Sequence, residues 1–155
     1  MPHAKDARRN VCLNRKARYE YELEDRHEAG LVLTGSEVKS LRGGGGNLDD
    51  AWVGFDGRGR AMLYDAHIAP YVQANRQNHE PRRPRPLLLH GIEVERLHQK
   101  VKERGYTLVP LQLYFKGAWC KVEFALGKGR KRHDKRQAER EHEDRREMRR
   151  AMRGD

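Results

Sequence analysis

The alternation of apolar and polar positions defines most of the elements before any other property is considered. Tyr19–Leu23 alternates with period two, as a half-buried strand does, and Leu31–Leu33 is a short apolar run of strand type. Two strands are therefore predicted to open the domain. Ser36 is placed to cap a short helix through Glu37–Arg42, with Gly43 ending it in a left-handed conformation and Gly43–Gly46 continuing as a flexible linker. Asp56-Gly57 between AWVGF and RAMLY predicts a tight hairpin, with Gly59 allowing a longer loop, and Lys116-Gly117 between TLVPLQLYF and AWCKVEFAL predicts another. Val94, Leu97 and Val101 put an apolar stripe on a helix that Gly105 stops. Tyr71–Pro86 has no apolar period and reads as a long basic loop. Short strands, few helices and turn-rich joins predict a mainly β chain, an OB-like antiparallel β-barrel, because closing the sheet removes edges that would aggregate.

Charge changes the picture by dividing the chain. The 155 residues carry 33 Lys plus Arg against 23 Asp plus Glu, a formal net charge of +10, and charged residues equal hydrophobic ones at 36% each. An ordinary globular chain has roughly 45–50% apolar and about 25% charged residues, so part of this one is not packed core. From Gly127 onward there are 12 Lys plus Arg and 7 Asp plus Glu, with Ala138, Met148, Ala151 and Met152 as the apolar residues. Fixing each backbone residue costs roughly 1–2 kcal/mol, which so few apolar groups cannot offset. Three regions follow: residues 1–13 as a flexible N-terminus, 14–126 as the barrel, and 127–155 as a tail, disordered alone. From Asp134 to Arg153 the tail has neither Pro nor Gly, and Met148 and Met152 are four apart, so it is poised to become helical on a partner. No run reaches the roughly 18–20 apolar residues of a membrane span, and MPHAKDARRN lacks the apolar stretch of a signal peptide; a cytoplasmic protein with no membrane partner is expected. Cys12 and Cys120 lack metal-ligand spacing and read as ordinary thiols.

The candidate chemistry is binding rather than catalysis. The eight histidines form no HExxH or HxH pair, Gly43–Asn47 lacks the Lys-Ser/Thr ending of a phosphate loop, and neither Ser36 nor Ser40 sits in GxSxG. No metal, cofactor or enzymatic activity is expected. Clusters at Arg8-Arg9, Arg15-Lys16, Lys39 with Arg42, Arg82-Arg83 with Arg85, and Lys128–Arg132 suit phosphates, and Tyr, Trp and His offer stacking faces for unpaired bases. RNA is the favoured ligand. On a helix Lys39 and Arg42 share one face while Val38 and Leu41 anchor the other. Glu28 reads either as a surface charge or as an acceptor for base amino, imino or ribose hydroxyl groups. Leu87–Leu89 reads as a buried strand and His90 as its exposed end, although alternate side chains of such a strand also suit a ligand.

NRKARYEYELEDRHEAGLVLTGSEVKSLR at Asn14–Arg42, HIAPY at His67–Tyr71, NHEPRRPRPLLLH at Asn78–His90 and GYTLVPLQLYFKGAWCKVEFALGKGRKRHDKR at Gly105–Arg136 resemble the SmpB, or SsrA-binding, protein family over nearly the whole chain. The resemblance implies an OB-fold barrel that binds the tRNA-like domain of transfer-messenger RNA and delivers it to stalled ribosomes for trans-translation, with elongation factor Tu (EF-Tu) as an indirect partner. Residues matching the family's RNA-binding positions are Glu28, Lys39, Arg42, Leu88, His90 and Lys121. Lys128, Gly129, Arg130, Lys131, His133, Asp134, Lys135 and Arg136 match the segment that enters the decoding centre of the small subunit, and the remaining tail is implied to become a helix in the empty mRNA channel. Pro86, Gly91 and the glycines at Gly43–Gly46 depart from the family pattern. A general RNA chaperone or ribosomal RNA-binding protein is the alternative that the charge pattern leaves open.

Overall fold

The computed structural model describes residues 8–130 and 132–152. Its strands are β1 (Arg8–Leu13), β2 (Tyr21–Leu31), β3 (Gly46–Asn47), β4 (Trp52–Phe55), β5 (Ala61–Tyr64), β6 (His67–Ile68), β7 (Arg85–Leu88), β8 (Thr107–Lys116) and β9 (Trp119–Gly129). Its α-helices are α1 (Ala17–Glu20), α2 (Gly35–Arg42), α3 (Gly91–Arg104) and α4 (Arg132–Met152). The main sheet runs β1-β8-β4-β5-β7-β2-β9, and β8 also pairs with β9, so the strands from β8 round to β9 close into a ring. All pairings are antiparallel. This is the OB-like barrel expected from the alternation. Its interior holds Ala29, Leu31, Leu63, Leu113, Phe115, Val122, Phe124 and Leu126, with Leu41 and Leu97 entering from α2 and α3.

Both hairpins form, the second as a tight reversal at Lys116-Gly117 and the first as a longer loop, residues 56–60, in which the left-handed glycine is Gly59 (φ 79°) and not Gly57. Asp56 Oδ1 accepts from the N–H groups of Arg58 and Arg60, and Gly117 carries a φ of 61° between β8 and β9. Helix α3 ends at Gly105, whose φ of 66° is the left-handed cap that a residue without Cβ adopts freely. Both cysteines are free, and burial pushes the thiols up to about 11 for Cys12 and about 12 for Cys120, which keeps them protonated.

Several boundaries differ from the sequence expectation. Residues 8–13 are not loose but pair as β1 along β8, and Gly127–Gly129 extends β9 instead of starting the tail. The two opening strands are replaced by one, β2, which runs through a bulge at Asp25 (φ 50°) where the register with β9 shifts between Glu24 and Arg26; Tyr19 and Glu20 fall in α1, and Val32 and Leu33 lie beyond the strand. Helix α2 is capped by Thr34 rather than Ser36: the Thr34 N–H donates to Glu37 Oε1 at 2.8 Å, half of a capping box. Gly43 is not left-handed (φ −85°); Gly44 is (φ 85°). The glycine run is no slack linker, since Gly46–Asn47 pairs with β6 and a Cβ on Gly46 would lie 2.8 Å from Leu41 Cδ2. The basic loop contains a 3-10 turn, Val72–Gln77, and ends in β7. The tail, expected to be disordered alone, is the 21-residue helix α4. It gains support from its Arg and Glu content, from Arg145 and Glu141 at i,i+4, and from an edge contact between His142 and Tyr19 of α1 at 5.7 Å.

Candidate nucleic-acid interface

Strand register assembles the outer wall of the barrel from residues distant in sequence. Gly30 of β2 lies opposite Leu88 of β7 on one side and Lys121 of β9 on the other. Residues opposite one another share a face, so Leu88 and Lys121 flank a position without a side chain. A Cβ on Gly30 would meet Leu88 Cβ and Cδ1 at 3.3 Å, which makes glycine the residue that lets Leu88 lie across the strand. Leu88 is 56% exposed, an unusual position for a strand leucine whose neighbour Leu87 is buried in the core. Two residues earlier on β2 and on the same face stands Glu28, opposite Glu123. Lys121 continues the row to Tyr114 of β8 and Asn10 of β1, while Glu123 continues the parallel row to Gln112 and Leu13.

The wall is electrostatically uneven. Glu123 accepts from Arg26 Nη1 at 3.1 Å and Gln112 Nε2 at 3.1 Å, with Arg8 Nη2 at 4.0 Å. Glu28 accepts a hydrogen bond from the Tyr114 hydroxyl and makes no ion pair among the described residues; nor does Lys121. An acceptor and a cation are thus left available beside an exposed apolar side chain. His90 is the exposed N-cap of α3, two residues past Leu88 at the end of β7, and its imidazole makes no capping bond.

Lys39 and Arg42 occupy the exposed face of α2, as their spacing predicted, with Leu41 buried on the opposite face. Lys39 Nζ lies 5.6 Å from the centre of the Tyr71 ring and the Arg42 guanidinium 4.3 Å from that of Phe115. Arg42, Arg9, Asn10, Gly43 and Gly44 line a shallow surface depression. Since Asn10 also ends the Lys121–Tyr114 row, β1 links the α2 cations to the barrel wall. The structure therefore groups Glu28, Leu88 and Lys121 by register, and joins Arg42 to them through β1.

Not every basic cluster is available to phosphate. Arg85 is fully buried; its Nε donates to Glu37 Oε2 at 2.5 Å, its Nη1 to the Ala66 carbonyl, and its Nη2 to the carbonyls of Glu80 and Pro81. Arg83 donates to Glu37 Oε1 at 2.6 Å and Arg82 to Asp50 at 3.2 Å. The expectation that this cluster binds RNA is corrected for Arg85, whose donors are consumed in fixing the loop between β6 and β7 to α2. Burial raises the Glu37 pKa, but hydrogen bonds from Arg83, the Thr34 N–H and Arg85 outweigh it and hold the carboxyl below its usual range.

Of the tail residues, Lys128 and Gly129 lie in β9, opposite Glu22 and Tyr21. The Arg130 N–H and Nε donate to the carbonyls of Glu20 and Tyr21, at 2.9 and 3.2 Å. Lys131 lies outside the described residues. His133, Asp134, Lys135 and Arg136 fall in the first turns of α4. Sequence reasoning missed Tyr114 and Gly30, which carry no charge. The signal for Gly30 was its place in EAGL, directly before a residue of core parity.

The family model described as SmpB protein matches residues 11–154. The SsrA-binding protein of Symbiobacterium thermophilum is 53% identical over 156 residues, covering 99% of this chain and 98% of its own. That of Desulforudis audaxviator is 50% identical over 151 residues, covering 97% and 98%. A solved chain described under "tmRNA-SmpB: a journey to the center of the bacterial ribosome" superposes with a TM-score of 0.66 at 42% identity, over 84% of this chain and 95% of that one.

Proposed function

The chain belongs to the SmpB family, and from that premise we propose that it binds the tRNA-like domain of transfer-messenger RNA through the β7–β2–β9 wall. It then delivers that RNA to stalled ribosomes for trans-translation. The observation that carries the reading is the juxtaposition of Leu88, Lys121 and Glu28 about Gly30. An apolar surface for a base, a cation for a phosphate and an acceptor for a base or ribose donor are the three contacts that unpaired RNA offers. Lys39, Arg42 and His90 extend the contact around the barrel.

In this reading the basic segment Lys128, Gly129, Arg130, Lys131, His133, Asp134, Lys135 and Arg136 faces the small-subunit decoding centre, and α4 lies in the empty mRNA channel. A channel walled by phosphate favours an Arg-rich helix, and mRNA extending through it competes for the same space. Elongation factor Tu enters through the aminoacylated RNA rather than through this chain. The barrel acts by binding, in the cytoplasm, without chemistry of its own.

The test is filter binding of the full chain to the tRNA-like domain against bulk tRNA at moderate salt, together with the identity of the RNA that co-purifies from native extract. A clear preference for transfer-messenger RNA supports the reading. Equal affinity for both RNAs supports a general RNA chaperone and overturns it.

A further inference from the structure

We propose that Tyr114 is a positioning residue that aims the Glu28 carboxylate at the RNA, an inference that rests on the function proposed above and deepens it. The register of β2 on β9 creates a local conflict. Glu28 and Glu123 face one another across β2 and β9, and like charges in that arrangement repel. The fold resolves the conflict on one side only. Glu123 is surrounded by Arg26, Arg8 and the Gln112 amide, whereas Glu28 is met by a neutral donor, the hydroxyl of Tyr114, on its Oε2.

A neutral donor fixes the direction of a carboxylate without cancelling its charge. Oε1 and the remaining lone pairs stay available to accept from an incoming N–H or O–H. Tyr114 is well suited to hold that direction because it is itself immobile. Its position in β8 is paired with Lys121 on one side and Asn10 on the other, and only 2% of the residue is exposed. The guanidinium of Arg8 lies 3.8 Å from the centre of its ring, closing the outer side. Burial first, and then the hydrogen bond and charge of Glu28, raise the phenol's pKa above its usual value, so the hydroxyl remains a donor throughout the physiological range. The ligand chemistry this selects is a nucleotide presenting an amino, imino or ribose hydroxyl donor, adjacent to a phosphate within reach of Lys121.

The experiment measures binding of the full-length chain to the tRNA-like domain over a salt series for wild type, Tyr114→Phe, Glu28→Ala and the double variant, with folding followed by circular dichroism. Tyr114→Phe is expected to weaken binding about 5- to 20-fold, within the range of one charge-assisted hydrogen bond. The slope of log K against log salt stays at the wild-type value because no phosphate contact is removed. On the Glu28→Ala background the same change is expected to have no further effect. Should Tyr114→Phe fail to fold, Arg8→Ala loosens the ring while keeping the hydroxyl; any phosphate contact of Arg8 itself is lost equally on either background, so the expected result is a coupling of about 3-fold between Arg8→Ala and Glu28→Ala, and its absence overturns the inference. Wild-type affinity in Tyr114→Phe, or losses that multiply in the double variant, overturns the inference. A wild-type protein with no preference for the tRNA-like domain overturns the underlying function instead.

Discussion

The tail helix is far more densely charged than the barrel, and the two use their charge in opposite ways. In the barrel, apart from the local pair of Arg60 with Asp56 in the β4–β5 turn, the ion pairs join residues far apart in sequence, among them Arg85 and Arg83 to Glu37, Arg26 to Glu123, and Lys100 to Asp25. In α4 the ion pair among the described residues is local, Arg145 with Glu141 at 3.9 Å, both exposed. Long-range pairs constrain topology, whereas local pairs support a helix wherever it lies. The barrel's charge therefore specifies a shape, and the tail's charge remains available for a partner.

The sharpest way to break this contrast is to remove the tail. Truncation after Arg130 keeps the bonds from Arg130 to Glu20 and Tyr21, and is expected to leave binding of transfer-messenger RNA within about 2-fold of wild type while tagging in a reconstituted translation assay falls to background. A denaturation midpoint that drops by several kcal/mol equivalents, or tagging that survives, erases the distinction. Next in size is Arg85→Ala, which leaves the Glu37 carboxylate buried without its innermost partner. Urea unfolding is expected to show a loss of about 3–5 kcal/mol, since breaking a buried pair strands a charge.

Glu37 also gives the barrel a pH dependence. Its folded pKa lies below the unfolded value of about 4.3, so its contribution is fully present above that value and is lost as pH falls through the folded pKa. Wild type is expected to lose stability below about pH 4 more steeply than Glu37→Gln, read from urea midpoints across pH; parallel curves for the two count against the pair. The smallest effect belongs to His142→Ala, which removes the edge contact with Tyr19. It is expected to change global stability by no more than about 0.5–1 kcal/mol while raising the rate of proteolysis within α4.

Which features were legible follows the same division. The hairpins at Asp56-Gly57 and Lys116-Gly117, the stop at Gly105 and the shared face of Lys39 and Arg42 depend on neighbours a few residues apart, and the sequence carried them. The single long strand β2 did not show, because the exposed polar run Glu24-Asp25-Arg26 about its bulge separates the apolar ends and makes one element look like two. The burial of Arg85 was hidden by its basic neighbours, although its alternation with Leu87 places both on the inward face of β7. The wall proposed to bind RNA was legible residue by residue through resemblance, but not as a constellation. Register alone brings Leu88, Lys121 and Glu28 together, and Tyr114 has no charge or motif to mark it.

The helical state of α4 has a geometric corollary. At 1.5 Å per residue its 21 residues extend roughly 30 Å, so the far end sits at a set reach from the barrel instead of sampling a sphere. Such a rod measures: four extra residues would advance its tip by about 6 Å and turn its faces by about 40°, whereas the same insertion in a slack string would hardly register.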